Sequence, residues 1–385
     1  MKVLMVSKAC VVGAYQKKLE ELAALGVELL VIVPPYWQEE ARKIPLERLY
    51  TRGYQLEVEP ARFNGRFHFF YFPGLARHID SFRPDIVHVD EEPYNLATWH
   101  AVRLARGAGV RSLFFTWQNL CRRYPPPFRW MERYCFAAVD AAIAGNAEAV
   151  DVLRRKGFSK PVDVIPQFGV DPEIFRPLNS TRRSALRTQP FRIGYVGRLV
   201  EQKGILDLLE AAAGMKGDFQ LTLVGAGPMQ AAIEARAAAL GIADRVEIVA
   251  GVPSREMPAI LNRLDALVLP SRTRGNWKEQ FGRALVEAMA CEVPVVGSDS
   301  GEIPNVVGDA GLVFPEGDVG ALRLHLEKLR GSPDLRRNLG ERGRARVLEH
   351  FTQARIAQQT LAVYQAILQA SSRPTSLQRS EHSIN

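Results

Sequence analysis

Short, continuously apolar runs alternate along most of the chain with segments whose apolar positions recur at helical spacing. In the first half the runs are KVLMVS, ELLVIVP, DIVHVD, SLFFTW, AAIAGN and VDVIPQ, and residues 15–25 and 96–106 between them carry the helical pattern. A second series follows residue 190: FRIGYVG, QLTLVG, VEIVAG, ALVLPS and VPVVGS, with helical stretches at 205–213 and 229–240. Strands that are apolar throughout, separated by helices, predict parallel sheets covered on both faces. The expected fold class is therefore α/β, two doubly wound Rossmann-like domains facing a central cleft.

The patterning also divides the chain. Residues 1–168 form one expected domain and 191–351 the other. The stretch PQFGVDPEIFRPLNSTRRSALRTQP has four prolines and few apolar residues in register, which marks 169–190 as a linker. Residues 352–370 read as a long helix returning to the N-terminal domain, and 371–385 as a disordered tail. A hinge at the linker would let the two domains close over a ligand.

Composition changes this picture little. With 385 residues, two domains are the natural expectation at roughly 150 residues each. No apolar run approaches the ~20 residues of a membrane-spanning helix. The opening MKVLMVSKAC reads as a buried strand, because Lys8 interrupts the apolar run too early for a secretory leader. Cys10, Cys121, Cys135 and Cys291 are scattered without metal-ligand spacing, as expected of reduced thiols in a cytoplasmic protein. The net charge of +8 favours acidic partners such as phosphates or anionic lipid. Nucleic acid is not expected, because no helix carries a basic stripe and no RNA-binding aromatic motif occurs.

Doubly wound sheets bind ligands at the carboxyl ends of their strands. After QLTLVG, Gly225 and Gly227 supply only half of a dinucleotide fingerprint, with Gln230 at the third position, so a tight turn is the better reading. No Gly-x-x-x-x-Gly-Lys-Ser/Thr motif occurs. In GYVGRLVEQKG, Arg198 and Lys203 follow a strand, where a planar fork and a mobile point charge suit a diphosphate. In EQFGRALVEAMACEVPVV a helix is expected to begin near Gly282. The free amides of Gly282, Arg283 and Ala284 would form an anion site. Glu287, within that helix, suits the hydroxyls of a ribose, and Glu279, before it, would meet the other end of the ligand. Ribose, diphosphate and a far-end sugar together describe a nucleotide sugar.

These motifs, in this order, resemble those of retaining glycosyltransferases with the GT-B fold, the family four, group one type. The resemblance is strongest over residues 190–315 and rests on GRLVEQKG, GVPSREMPAILNRLDALVLPS and the Glu279–Glu287 spacing. It implies that Arg198 and Lys203 neutralise the donor diphosphate, so that no metal and no cofactor is required; no Asp-x-Asp occurs. It implies that Glu287 holds ribose, that Glu279 holds the transferred sugar, and that the backbone at Gly251–Val252 holds the base. UDP-sugars are the frequent donors of such enzymes, which favours UDP over GDP. The implied function is transfer of a sugar to a glycan or lipid-linked acceptor, in cell-surface polysaccharide or glycolipid synthesis. A sugar-nucleotide epimerase and a non-catalytic nucleotide-sugar-binding protein are the alternatives.

The N-terminal half departs further from the family pattern. Where paired glycines are frequent the chain has Gly13 then Ala14, and Gly13 is expected near the donor phosphate. Gln118 stands where a His is usual; its amide can bond a sugar hydroxyl but cannot relay a proton. In HVDEEPYN, Glu92 is the expected acceptor or sugar contact, with a purely structural role as the alternative. Glu302 and Asn305 stand where Gly and Glu are frequent, so that loop is expected to differ locally. Finally, residues 122–134 combine four arginines with Tyr124, Phe128, Trp130 and Tyr134. Two readings stay open: a contact for an anionic membrane surface at the inner face of the cell membrane, or inward aromatics with arginines flanking the cleft.

Overall fold

The computed structural model describes residues 1–39, 42–178 and 190–370. Part of the expected linker and the whole expected tail at 371–385 lie outside the described residues. In the N-terminal half the strands are β1 (Lys2–Val6), β2 (Glu28–Val33), β3 (Tyr36–Glu39), β4 (Arg42–Pro45), β5 (Gln55–Val58), β6 (Ile86–Val89), β7 (Arg111–Thr116), β8 (Ala141–Ala144) and β9 (Val162–Val164). Seven of them form one parallel sheet in the order β5-β2-β1-β6-β7-β8-β9, and β3 and β4 make a separate antiparallel hairpin. Helices α1 (Lys17–Ala24), α2 (Leu75–Phe82), α3 (Leu96–Gly107), α4 (Phe128–Ala138) and α5 (Ala147–Arg155) complete this half. The α5 start is local chemistry: Asn146 Oδ1 accepts from the Ala149 amide at 2.8 Å, and Arg154 and Arg155 sit in the last turn.

The C-terminal sheet contains β10 (Phe191–Val196), β11 (Phe219–Val224), β12 (Val246–Val249), β13 (Ala266–Leu269), β14 (Val295–Ser298) and β15 (Leu312–Phe314). All six run parallel in the order β12-β11-β10-β13-β14-β15, so the order reverses between β10 and β13. That is where a doubly wound sheet opens a crevice, and the loops after these two strands are the ones that must line it. The helices are α6 (Ile205–Ala213), α7 (Gln230–Ala239), α8 (Met257–Leu261), α9 (Arg283–Ala290), α10 (Ile303–Val307), α11 (Val319–Gly331), α12 (Pro333–His350) and α13 (Gln353–Ala370).

Two features tie the halves together. Helix α13 leaves the C-terminal domain and buries Ile356, Val363, Tyr364 and Ile367 against Val3, Met5, Leu19 and Leu22. At ~1.5–3 kcal/mol for each large side chain fully buried, this is a firm attachment. The chain just after Gly169 is also not a free linker. Val170 pairs with Thr352, and Val170 and Phe175 are buried in the C-terminal core with Phe191. Low apolar content hid this, because two well-placed side chains suffice to anchor the crossing.

Candidate active site

The loops after β10 and β13 meet as the strand order requires, and enclose a cavity of about 410 Å³. Arg198, Lys203, Val252, Glu279, Gly282, Arg283, Ala284 and Glu287 all line it. Gly282, with φ of 80°, precedes α9 and turns the helix N-terminus toward this space. An anion there would meet unpaired amides and the positive end of the helix dipole. Gly225 and Gly227, half of the apparent fingerprint, are needed for packing: a Cβ would come within 1.9 Å of the Gly197 carbonyl and 2.3 Å of the Leu199 carbonyl, respectively. They hold the Arg198 loop against the neighbouring strand-to-helix turn.

The charges in this cavity compensate each other. Lys203 Nζ donates to Glu279 Oε2 at 2.5 Å, and Ser271 Oγ donates to the same oxygen at 2.8 Å. Arg283 Nε donates to Glu287 Oε1 at 2.7 Å, and its guanidinium lies 4.7 Å from the centre of the Tyr15 ring in the other domain. Burial pushes the Glu287 carboxyl above its ordinary range, and the Arg283 guanidinium works against that rise. Glu279 is further fixed through its backbone, whose carbonyl accepts from Asn119 Nδ2 at 3.3 Å and from the Glu302 amide at 3.1 Å. The second contact needs Gly301: its φ is 56°, and a Cβ there would lie 2.0 Å from that carbonyl. Glu302, an unusual residue for its position by sequence, thus supports Glu279 through its amide, while burial pushes its own carboxyl up to about 7.

A second, smaller cavity of about 130 Å³ lies between the domains, lined by Tyr94, Gln118, Asn119, Tyr124, Trp277 and Gln280 among others. Gln118 is buried; its Nε2 donates to the Tyr124 hydroxyl at 2.9 Å, and its Oε1 has no hydrogen-bond partner. That oxygen is also closed to solvent, so in this conformation the amide does not offer it to the cavity. Two other expected contacts belong elsewhere. Glu92 lines neither cavity: its oxygens accept from Thr116 Oγ1 at 2.6 Å and from the Trp117 amide at 2.8 Å. Its carboxyl clamps the end of β6 to the end of β7, and burial pushes it up to about 7. Gly13 also stands outside both cavities. Its amide donates to Glu47 Oε2 at 2.7 Å, and Leu49 fills the space where a Cβ would go.

The other acidic residues of HVDEEPYN are equally enclosed. Asp90 accepts from Ser7 Oγ at 2.8 Å, Glu91 pairs with Lys8, and His88 Nδ1 lies 2.7 Å from the Tyr364 hydroxyl of α13. Burial holds His88 down at about 4, so it is neutral at ordinary pH. Conversely, Ser254 and Tyr15 belong to the environment of Arg283, and Trp277 lies 4.9 Å from Lys203 Nζ. Sequence reasoning passed over all three. Only Trp277, an aromatic alone in the polar RTRGNWKEQ, carried a visible signal. Of segment 122–134, Tyr124 turns into the small cavity while Trp130 is exposed, so the segment has both an inward and an outward part.

Comparison with known proteins gives the family and the fold. The family model described as Glycosyltransferase Family 4 matches residues 18–174, and that described as Glycosyl transferases group 1 matches residues 179–346. The alpha-maltose-1-phosphate synthase of Mycolicibacterium smegmatis is 31% identical over 324 residues, 77% of each chain. Among solved structures, a sucrose-phosphate synthase from Thermosynechococcus elongatus superposes with a TM-score of 0.74 at 20% identity, over 96% of this chain and 100% of its own. Anabaena HepE, solved with UDP, gives 0.73 at 18% identity, over 95% of this chain and 100% of its own. The chain belongs to the family 4, group 1 glycosyltransferases and has their GT-B fold.

Proposed function

We propose that this glycosyltransferase is a retaining, metal-independent hexosyltransferase that uses a nucleoside diphosphate sugar, UDP in preference to GDP. The observation that carries this reading is the convergence of Arg198, Lys203, Glu279, Glu287 and the α9 N-terminus on one cavity. Glu287 accepts from the ribose hydroxyls, and the backbone at Val252 borders the base. Arg198, Lys203 and the amides of Gly282 to Ala284 face the diphosphate, whose charge grows as the bond to the sugar breaks. Lys203 starts from its ion pair with Glu279, so sugar and diphosphate enter between groups that already neutralise each other. In the step itself the C1–O bond to phosphate breaks with its electron pair passing to the diphosphate. The acceptor oxygen bonds C1 from the same face and gives its proton to the departing phosphate oxygen. No strong protein base is needed, which accommodates Gln118 in place of a His. The preference for UDP rests on the frequency of UDP-sugars as donors of such enzymes; one neighbour was solved with UDP, and one relative is GDP-mannose-dependent.

The acceptor is a glycan or lipid-linked sugar entering through the Gln118 cavity, in cell-surface polysaccharide or glycolipid synthesis. The enzyme works in the cytoplasm, with segment 122–134 toward the inner face of the membrane. Among the described residues no helix is long and apolar enough to cross that membrane. The test is thermal unfolding of wild type and Glu287→Ala with a panel of nucleoside diphosphates and nucleotide sugars. A ligand at ~100 times its dissociation constant adds about 2.7 kcal/mol. One nucleotide class should stabilise wild type and lose most of that effect in the variant. If no nucleotide stabilises wild type, the reading fails.

A further inference from the structure

Four aromatic side chains among the described residues are exposed, two of them by more than half: Phe63 at 56%, Phe67 at 39%, Phe69 at 44% and Trp130 at 63%. They come from two segments distant in sequence that touch in the fold. Phe69 packs edge-on against Phe128 with ring centres 5.1 Å apart, and His68 lies 5.1 Å from the same ring. Exposure is built in here and does not come from a loose loop. Arg62 and Tyr71 exchange two backbone hydrogen bonds, of 2.9 and 3.3 Å, that close the loop at its base. Asn64 ties it to the β3–β4 hairpin, donating to the Tyr36 carbonyl at 2.7 Å and accepting from the Gln38 amide at 2.9 Å. Holding large aromatic surface in water is unfavourable, and a patch so maintained marks a contact.

Within the two segments themselves the charge is of one sign, although Glu39 follows the Gln38 that holds Asn64. Residues 61–72 contain two arginines and no acid; residues 120–131 contain three arginines and no acid. The next acid, Glu132, is buried and paired with Lys156 at 2.6 Å. Exposed aromatics among arginines match the headgroup layer of an anionic bilayer, where ring and guanidinium are both accommodated. The face also runs to the acceptor side of the cleft. His68 stands 6.3 Å from Tyr124, and Tyr124 lines the cavity of Gln118.

We propose that the loop 62–71 and helix α4 together form one docking face for an anionic lipid bilayer, set beside the Gln118 cavity so that an acceptor anchored in that bilayer reaches the cleft. The docking extends the assignment of segment 122–134 to a composite surface, and only its acceptor clause rests on the transferase reading. The test is co-sedimentation of the full chain with phosphatidylcholine vesicles, with and without about a third phosphatidylglycerol, at ~1 mM lipid. Wild type should pellet with the anionic vesicles only. Arg66→Ala and Arg129→Ala should each weaken partitioning about fivefold, and Phe67→Ser with Trp130→Ser should release the protein into the supernatant. Nucleotide-induced stabilisation should be unchanged in every variant, showing that fold and donor site are intact. Wild type remaining in the supernatant, or the loop variants pelleting as wild type does, overturns the proposal. So does a dimer dissolved by Trp130→Ser, or tighter binding to a single-stranded oligonucleotide than to the vesicles. Vesicle binding without any nucleotide response would leave the docking face standing and remove the transferase reading.

Discussion

The two domains place acidic residues at the same end of topologically related sheets and use them in opposite ways. In the C-terminal domain Glu279 and Glu287 each meet a cation through one oxygen, and a cavity of about 410 Å³ opens before them. In the N-terminal domain Asp90, Glu91 and Glu92 are buried and bound to Ser7, Lys8, Thr116 and Trp117. A carboxylate at the carboxyl end of a parallel strand is therefore only a candidate. What decides its role is whether the neighbouring strand ends bury it or leave it facing open space: Asp90 Oδ1 has no hydrogen-bond partner, yet it is enclosed, 4.0 Å from Lys18 Nζ. The same rule explains Gly13, whose amide is taken by Glu47.

The sharpest way to break this contrast is on the open side. Lys203→Ala removes a cation from the cavity and leaves the buried Glu279 carboxylate without its ion-pair partner, so kcat/KM is expected to fall by about 10³ and the unfolding temperature to fall as well. An equally active variant would mean that the cavity is not where charge develops. On the closed side, Glu92→Gln should act on stability instead. The folded-state carboxyl, raised to about 7 by burial, keeps a proton between pH 4.5 and 7 that the unfolded chain has released, so stability falls as pH rises through that window. The variant should lose that part of the fall, up to ~3 kcal/mol, and keep the part owed to Glu302, which is raised in the same way. Denaturant melts at pH 5 and 8 measure it. If acceptor KM changes while the pH profile of stability does not, Glu92 belongs to the site after all. Smallest is Tyr364→Phe, which leaves His88 Nδ1 without its partner at the α13 contact. A cost of about 1–3 kcal/mol is expected, with nucleotide affinity unchanged.

Much of this was legible in the chain. The strongly apolar strands of both sheets stand out because both faces are covered, and the α6 pattern at 205–213 matches the observed helix. The elements that escaped are short or exposed. The β3–β4 hairpin has no buried face to impose a period, and β5, mostly exposed, sits at the sheet edge beside β2. β15 is three residues long. In the site, Arg198 with Lys203 and Glu279 with Glu287 were readable because each pair lies within one loop or one turn-and-helix unit. Tyr15 beside Arg283 was not, since its contribution comes from the opposite domain.

The sequence by itself determined the strand and helix alternation, the two-sheet plan and the polar residues that follow the strands, because these depend on local periodicity and on the twofold and 3.6-fold repeats of the backbone. Only the tertiary structure decided which of those polar residues remain available. Lys203 meets Glu279 across 76 positions, Ser7 meets Asp90 across 83, and Gly13 meets Glu47 across 34. Hydrogen bonds act over about 3 Å, and no spacing along the chain tells which distant group will come within that range.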